Sequence, residues 1–550
     1  MPTTRRLLAT IAAGALAVSL AACATSDRGT GGTQAGATGG TMVFGAAGAP
    51  KNFDPIFNDD GESFRPIRQM YDTLITYKAG TTDLAPGLAT AWESTPDGKQ
   101  WTFTLRQGVK FSDGTPFDAA AVCFNFDRWS NMSSEAAQSN MIYYADVFEG
   151  FKGKDGIYSG CQANGDKATI SLTKYKGAFP AAFGLTSLSI SSPTALKQYD
   201  ADNVTQSGDS FSYPAYATAH PTGTGAFKFE SYDKTANTIT LVRNDDYWGE
   251  KAKLDKLVFK IIPDENARKQ ELAAGTIDGY DYPSPADYNS LKSAGQQVLI
   301  RQPFNVLYMG INTKNNPALK DIRVRQALAY AIDRKALVQT KLPEGAEVAT
   351  QFMPKTVAGY AADVQQYPYD PAKAKQLLAD AGASNLTLNF YYPTEVTRPY
   401  MPNPTDIFQL ISENLKQAGI TVNPVPRPWN GGFKDDVQTA GKQDLHLLGW
   451  TGDYNDAGNF IGTFFGRQKA EFGAEDPAMY AEINAADAEP DQAKHKAAYE
   501  QASRDLMAKY LPAVPISSSP PAIVVSKNIQ GLVPSPLTDE RFNTVSKTQS

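Results

Sequence analysis

The chain has 550 residues, with 52 Lys+Arg against 58 Asp+Glu and a formal charge of −6. At about 100–200 residues per domain, this length fits three or four domains or two large lobes, and 42% apolar with 20% charged residues supply several cores. Mild acidity disfavours a general nucleic-acid binder, and three Cys with three widely separated His (His220, His446, His495) disfavour a disulfide scaffold, a four-cysteine metal site or a His-rich one.

Residues 1–23 read MPTTRRLLATIAAGALAVSLAAC. Arg5 and Arg6 form a basic start, and Leu7 to Ala22 is apolar apart from Thr10, Gly14 and Ser19. Its 16 residues are short for a membrane-spanning helix, which needs about 20, and suit a signal peptide. Leu20-Ala21-Ala22-Cys23 matches the bacterial lipobox, in which the cysteine thiol takes a lipid and becomes the new N-terminus. The alternative is an ordinary secretory peptide with a chance cysteine. Cleavage before Cys23 removes two arginines and makes the charge −8. Residues 24–41 are rich in Gly, Thr, Ala and Ser without apolar periodicity, so 23–41 reads as a lipid-anchored tether reaching about 20–25 Å. Cys123 and Cys161 then lie in an oxidising compartment, either as a disulfide or as two separate buried thiols.

Further along, Met42-Val-Phe-Gly-Ala is a short strand, and 101–106 (WTFTLR) alternates as a half-buried strand. Asp118 caps a helix reaching about Trp129, and 167–172 is another strand. Residues 225–244 form a hairpin, 256–262 a buried strand, and Asp264 to Gly275 a capped helix. From about 304 the pattern becomes regular. Val324, Leu328, Ala331 and Ile332 make one helical stripe. Asp370-Pro371 opens a helix, 386–392 is a strand, and Thr405 or Asp406 begins a helix ending at Gly419. Strand 420–425, a short helix in 431–442 and strand 444–449 complete a β-α-β-α-β order, which implies parallel strands. A helical stretch at 475–510 follows.

In open α/β sheets, ligands bind beyond the carboxyl ends of the strands. Strand 386–392 runs into Arg398, and strand 444–449 runs into Asp453. Parallel strands in one sheet bring these two charges to the same edge. Asp453 suits an α-ammonium and Arg398 a carboxylate, so the pair complements a zwitterion. Trp450, Trp429 and Tyr400 supply aromatic walls, and the backbone at Gly449, Trp450 and Thr451 offers strand-like hydrogen bonds. The bland alternative is solvated loop charges beside core aromatics. Phosphate-loop, zinc-helix and nucleophile-elbow motifs are absent, so no enzyme is expected.

Several segments in order are similar to one family. They are Tyr71-Asp-Thr-Leu74, Leu84-Ala-Pro-Gly-Leu-Ala89, Asp97 to Phe111, Asp113-Gly-Thr-Pro-Phe117, Pro221 to Phe227, Tyr247-Trp248, Val324-Arg-Gln-Ala-Leu328 and Tyr369 to Ala374. The chain resembles the extracellular solute-binding proteins of the peptide/nickel group, family 5, of ABC importers, and within it the dipeptide-binding proteins. Arg398-Pro-Tyr-Met-Pro-Asn403 and Gly449-Trp-Thr-Gly-Asp453 are similar to segments that hold the peptide termini there, which implies Arg398 for the carboxylate and Asp453 for the ammonium. Tyr282 to Asp287 is similar to the same subgroup, with no ligand role carried over. Thr222, Ala226 and Ala457 depart from the family pattern at turn and packing positions.

The resemblance implies an α/β periplasmic-binding-protein fold of type II, two lobes with a hinge, in the three-domain variant with an inserted extra domain. It implies a 1–22 signal peptide, a 23–41 tether, a discontinuous domain (42–72, 216–302, 518–550), an inserted domain (73–215) and a domain at 303–517 carrying both ligand charges. The expected partners are a short peptide, permease subunits and the membrane through the Cys23 lipid; a monomer without cofactor, metal or nucleic acid is expected. The expected place is the extracellular face of the cell membrane, periplasmic where an outer membrane exists. Oligosaccharides, opines and metal chelates remain open as solutes, and a lipid-anchored hydrolase is the rival of another class.

Overall fold

The computed structural model describes residues 39–548 apart from 209 and 474. The expected signal segment, Cys23 and most of the expected tether lie outside the described residues. Contacts with the body begin slightly before Met42. Gly39 N–H donates to the Lys253 carbonyl, Gly40 N–H to Asp255, and the first strand, β1, is Thr41–Ala46.

In chain order, α1 (Gly61–Met70) follows β1, then β2 (Ala89–Ser94), β3 (Gln100–Leu105), α2 (Ala119–Ser130), α3 (Ile142–Phe148), β4 (Tyr158–Asn164) and β5 (Lys167–Leu172). Next come β6 (Phe227–Asp233), β7 (Thr238–Arg243), β8 (Lys256–Ile261), α4 (Glu265–Ala274), β9 (Gly279–Asp281) and β10 (Gln297–Ile300). The regular part holds β11 (Asn305–Ile311), α5 (Ile322–Ala331), β12 (Glu347–Val348), α6 (Pro371–Asp380), β13 (Thr387–Thr394), α7 (Pro404–Gln417), β14 (Thr421–Pro428) and β15 (Leu445–Thr451). Helices α8 (Pro477–Asp487) and α9 (Gln492–Asp505) lead to β16 (Ala513–Ser518) and β17 (Ala522–Val525).

Three larger sheets result. One is seven-stranded in the order β6-β7-β8-β1-β9-β17-β10, one six-stranded in the order β12-β16-β11-β15-β13-β14, and one four-stranded in the order β2-β3-β5-β4. The chain passes between the first two at 301–304 and again at 519–521. These crossings are stitched side by side. Arg301 N–H donates to the Pro521 carbonyl, and the Asn305 amide exchanges hydrogen bonds with the Ser519 backbone. The Arg301 side chain is fully buried there and bridges Asp281 and Glu540, each at 2.6 Å. Two carboxylates offset the cost of taking this guanidinium out of water.

Local chemistry explains most elements. Asp118 accepts from Ala121 N–H at the start of α2, and Asp264 from Ala267 N–H at the start of α4, whose Gly275 takes the left-handed conformation. The parallel reading of the regular part holds. β13 pairs in parallel with β14 from Thr387/Thr421 to Thr394/Pro428, and with β15 at Phe390/Leu445 and Tyr391/His446. β14 carries Pro424, Pro426 and Pro428, which a central strand cannot hold, and it lies at the sheet edge. Two expectations shift. Helix α7 is capped by Asn403, which accepts from Asp406 N–H, with Pro404 as first helical residue; Thr405 and Asp406 sit inside the first turn. The short helix expected in 431–442 is two wide π-type turns, Trp429–Phe433 and Asp435–Thr439.

Cys123 on α2 and Cys161 on β4 form a disulfide with Cα atoms 5.1 Å apart, tying the helix to the four-stranded sheet across 38 positions. Loop closure on this scale contributes about 2–4 kcal/mol. Replacing both cysteines with serine is expected to lower unfolding free energy by about that amount in urea titrations, with no change in far-UV circular dichroism.

Candidate functional site

The site residues emerge where β13 and β15 end. β15 is buried on both faces through Gly449 and becomes half-exposed at Trp450 and Thr451. Gly449 is required by close approach. A Cβ there would stand 2.4 Å from the Tyr400 ring and 2.5 Å from the Val306 carbonyl oxygen. Tyr400 thus packs flat on the strand just before it turns outward.

Beyond Gly452 the turn is held by Asn459, a residue that sequence reasoning missed. Its side-chain oxygen accepts from Asp453 N–H at 2.8 Å and from the Trp450 indole at 3.3 Å, and its amide donates to Asp453 Oδ2 at 3.3 Å. One buried amide therefore fixes the backbone, the indole and the carboxylate together. Trp450 also meets Phe464 edge-on, with ring centres 5.2 Å apart.

Asp453 forms no ion pair among the described residues, and the charge of Arg68 acts on it only as a lesser influence. Its Oδ1 accepts from the Tyr143 hydroxyl of α3 at 2.9 Å. Desolvation lifts the Asp453 carboxyl to about 6, while the hydrogen bonds from Tyr143 and Asn459 pull the other way. Tyr143 and Asp453 line a cavity of about 410 Å³ between the 143–185 region and the 450–488 region. Its walls carry charges of both signs. Arg467 pairs with Asp146, Lys174 with Glu149 at 2.6 Å, and Lys176 lies 3.6 Å from Asp487. Further contacts hold the same two regions together. Asn455 donates to Thr82 Oγ1 at 3.0 Å, and Tyr454 packs into the core around the four-stranded sheet.

Arg398 is placed by a tight turn. Its N–H donates to the Met401 carbonyl at 3.1 Å, the return bond is 2.9 Å, and Pro399 occupies the position where a fixed φ favours such turns. The guanidinium stacks on Trp429, with its central carbon 4.1 Å from the ring centre. Its Nε is buried with no hydrogen-bond partner, and no carboxylate among the described residues pairs with it. Arg398 lines a second, small cavity of about 20 Å³ with Tyr282, Tyr288, Ser519 and Pro521. The 282–288 segment thereby acquires a place in the site. Tyr282 adopts a left-handed φ of 56°. Asp453 and Trp450 line one cavity, and Arg398 lines the other. Trp429 and Tyr400 attach to the Arg398 side, and the Thr451 hydroxyl is buried without a partner.

The geometry is a fixed anion and a fixed cation at the carboxyl ends of strands in one sheet, each looking across at a different part of the fold. The family model of bacterial extracellular solute-binding proteins, family 5, matches residues 83–472. The chain belongs to this family, and its fold is the type II periplasmic-binding-protein fold. It is 32% identical to heme-binding protein A of Haemophilus influenzae, across 98% of this chain and 99% of that one. It is also 32% identical to the dipeptide-binding protein of Escherichia coli, across 92% and 94% of the two chains. Among solved structures, the periplasmic binding protein DppA of Helicobacter pylori in complex with the peptide STSA superposes with a TM-score of 0.79. It is 27% identical, and the match covers 93% of this chain and 99% of that one.

The carboxyl carbon of Asp453 is expected to titrate with a midpoint near 6 by NMR in the ligand-free protein, and Tyr143→Phe moves that midpoint upward because it removes a donor to the charged form.

Proposed function

We propose that this protein captures short peptides, dipeptides foremost, between its lobes and delivers them to an ABC permease without chemistry on the substrate. The observation that carries the reading is the Arg398 guanidinium, stacked on Trp429 with a buried Nε and no carboxylate partner. A buried donor left unmet costs free energy, and a ligand carboxylate is its natural complement. Asp453 is the opposite pole. It is held by neutral donors, so its charge stays available to an ammonium. The peptide-bound relative from Helicobacter pylori supports the ligand class.

In this reading the domain at 303–517 carries both poles. The discontinuous domain (42–72, 216–302, 518–550) and the inserted domain (73–215) close over the ligand. The paired crossings at 301–304 and 519–521 support a hinge there, and Arg301 anchors its fixed side. Closure is favoured by whatever the ligand touches on both sides. Cys23 carries the lipid and 24–38 the tether, which keep the body at the extracellular face of the membrane. No helix among the described residues is long and apolar enough to cross a membrane. A haem reading, prompted by the Haemophilus relative's name, has less support. His220, His446 and His495 line neither cavity, so neither offers an imidazole to haem iron.

Asp453→Asn and Arg398→Ala are each expected to weaken Ala-Ala binding by about 30-fold or more in calorimetry, the usual effect of removing one partner of a desolvated charge pair. Unchanged affinity in both variants would retire the assignment.

A further inference from the structure

Trp429 carries more than Arg398. It opens the first π-type turn after β14, and Phe433 stacks on it with ring centres 5.8 Å apart and planes 19° apart. The next residue, Lys434, returns its ammonium to the same indole, 5.8 Å from the ring centre. One indole therefore holds two cations. An aromatic face orients a cation without neutralising it. The nearby acid Asp436 is already taken by Arg427 at 2.8 Å and Lys442 at 2.5 Å, and Asp435 is exposed. No ion pair reaches Lys434 among the described residues.

The two cationic atoms lie no further apart than their two distances to the ring centre taken together. A C-terminal aspartate or glutamate has that reach, since its two carboxylates stand roughly 4–5 Å apart and each adds about 3 Å of hydrogen bond. From these positions we propose that Lys434 is a specificity residue. It reads a second carboxylate beside the one that Arg398 holds, so the protein prefers peptides ending in Asp or Glu. This rests on the reading of Arg398 as the carboxylate seat.

A third cation lies within electrostatic range of Lys434. Lys51, just after β1, is held below its ordinary value, by desolvation first and by the charge of Lys434 among lesser causes; Asp59 and Asp60 act in the opposite sense. Asp60 is also committed to capping α1, accepting from Glu62 and Ser63 N–H at 3.0 Å. Lys51 and Lys434 thus repel, and an anion lodged beside Lys434 relieves that repulsion.

The test is calorimetry of Ala-Glu against Ala-Gln, which differ in charge but hardly in shape. In the wild-type chain Ala-Glu is expected to bind about tenfold tighter, the scale of one charge-assisted hydrogen bond. Lys434→Gln brings the ratio close to one, and Lys434→Arg restores it. Equal binding of both peptides to the wild type, or a ratio that Lys434→Gln leaves intact, overturns the inference while the peptide reading stands. If neither peptide binds the wild type, the peptide reading fails and this inference with it.

Discussion

The pairing of β13 with β15 is the constraint from which the site follows. Phe390 lies against Leu445 and Tyr391 against His446, in parallel. Parallel neighbours end on the same edge of their sheet, so the segments that leave them, 395–403 and 452–459, must begin close together. The direction of β15 is secured on its other side by seven antiparallel pairs with β11, from Asn305/Thr451 to Ile311/Leu445. A reversal of either strand would send Arg398 and Asp453 to opposite edges. Their sheet is also tied to its neighbour at the crossings beside Arg301, so the same edge faces the rest of the molecule.

The two poles are built differently. Asp453 is gripped by an amide and a phenol, which fix its geometry while leaving a charge that its surroundings hold at a cost. Arg398 lies on an indole, which fixes its plane and leaves its donors open. Among the described residues neither forms an ion pair with the other or with a third group. Permanent ion pairs elsewhere show that this is not a shortage of partners. Arg65 and Arg301 share Asp281, and Arg128 is met by Asp54 at 2.8 Å and Asp202 at 2.6 Å. These structural arginines are each paired with carboxylates, whereas Arg398 and Asp453 form no ion pair among the described residues.

Much of this was legible in the residues. The β-α-β-α-β order from 370 to 451 is written in apolar stripes, proline starts and glycine stops, and those local signals agree with the fold. Because parallel order fixes strand direction, it also made Arg398 and Asp453 visible as a pair 55 positions apart. The rest depends on long-range contact that no local pattern encodes. Tyr143 reaches Asp453 from 310 positions away, and Tyr282 reaches the Arg398 cavity from a different sheet. Asn459 was near enough in sequence to be suspected, but a buried amide serving three groups looks like any loop Asn until its partners are known. The cap of α7 lies two or three residues before the expected Thr405 or Asp406, because Asn403, Thr405 and Asp406 all cap well and only the turn through Arg398 decides among them. The Cys123–Cys161 pairing likewise needed α2 and β4 side by side.

The central claim is that both ends of one ligand are read by charge. The most direct measurement compares Ala-Ala with N-acetyl-Ala-Ala and with Ala-Ala amide by calorimetry on the wild-type chain. Each blocked peptide keeps its side chains and central amide and loses one terminal charge. The account predicts clear binding of the free dipeptide and a loss of about 30-fold or more for either blocked form. Equal affinity for the free and blocked peptides, or no binding of the free dipeptide, would contradict it.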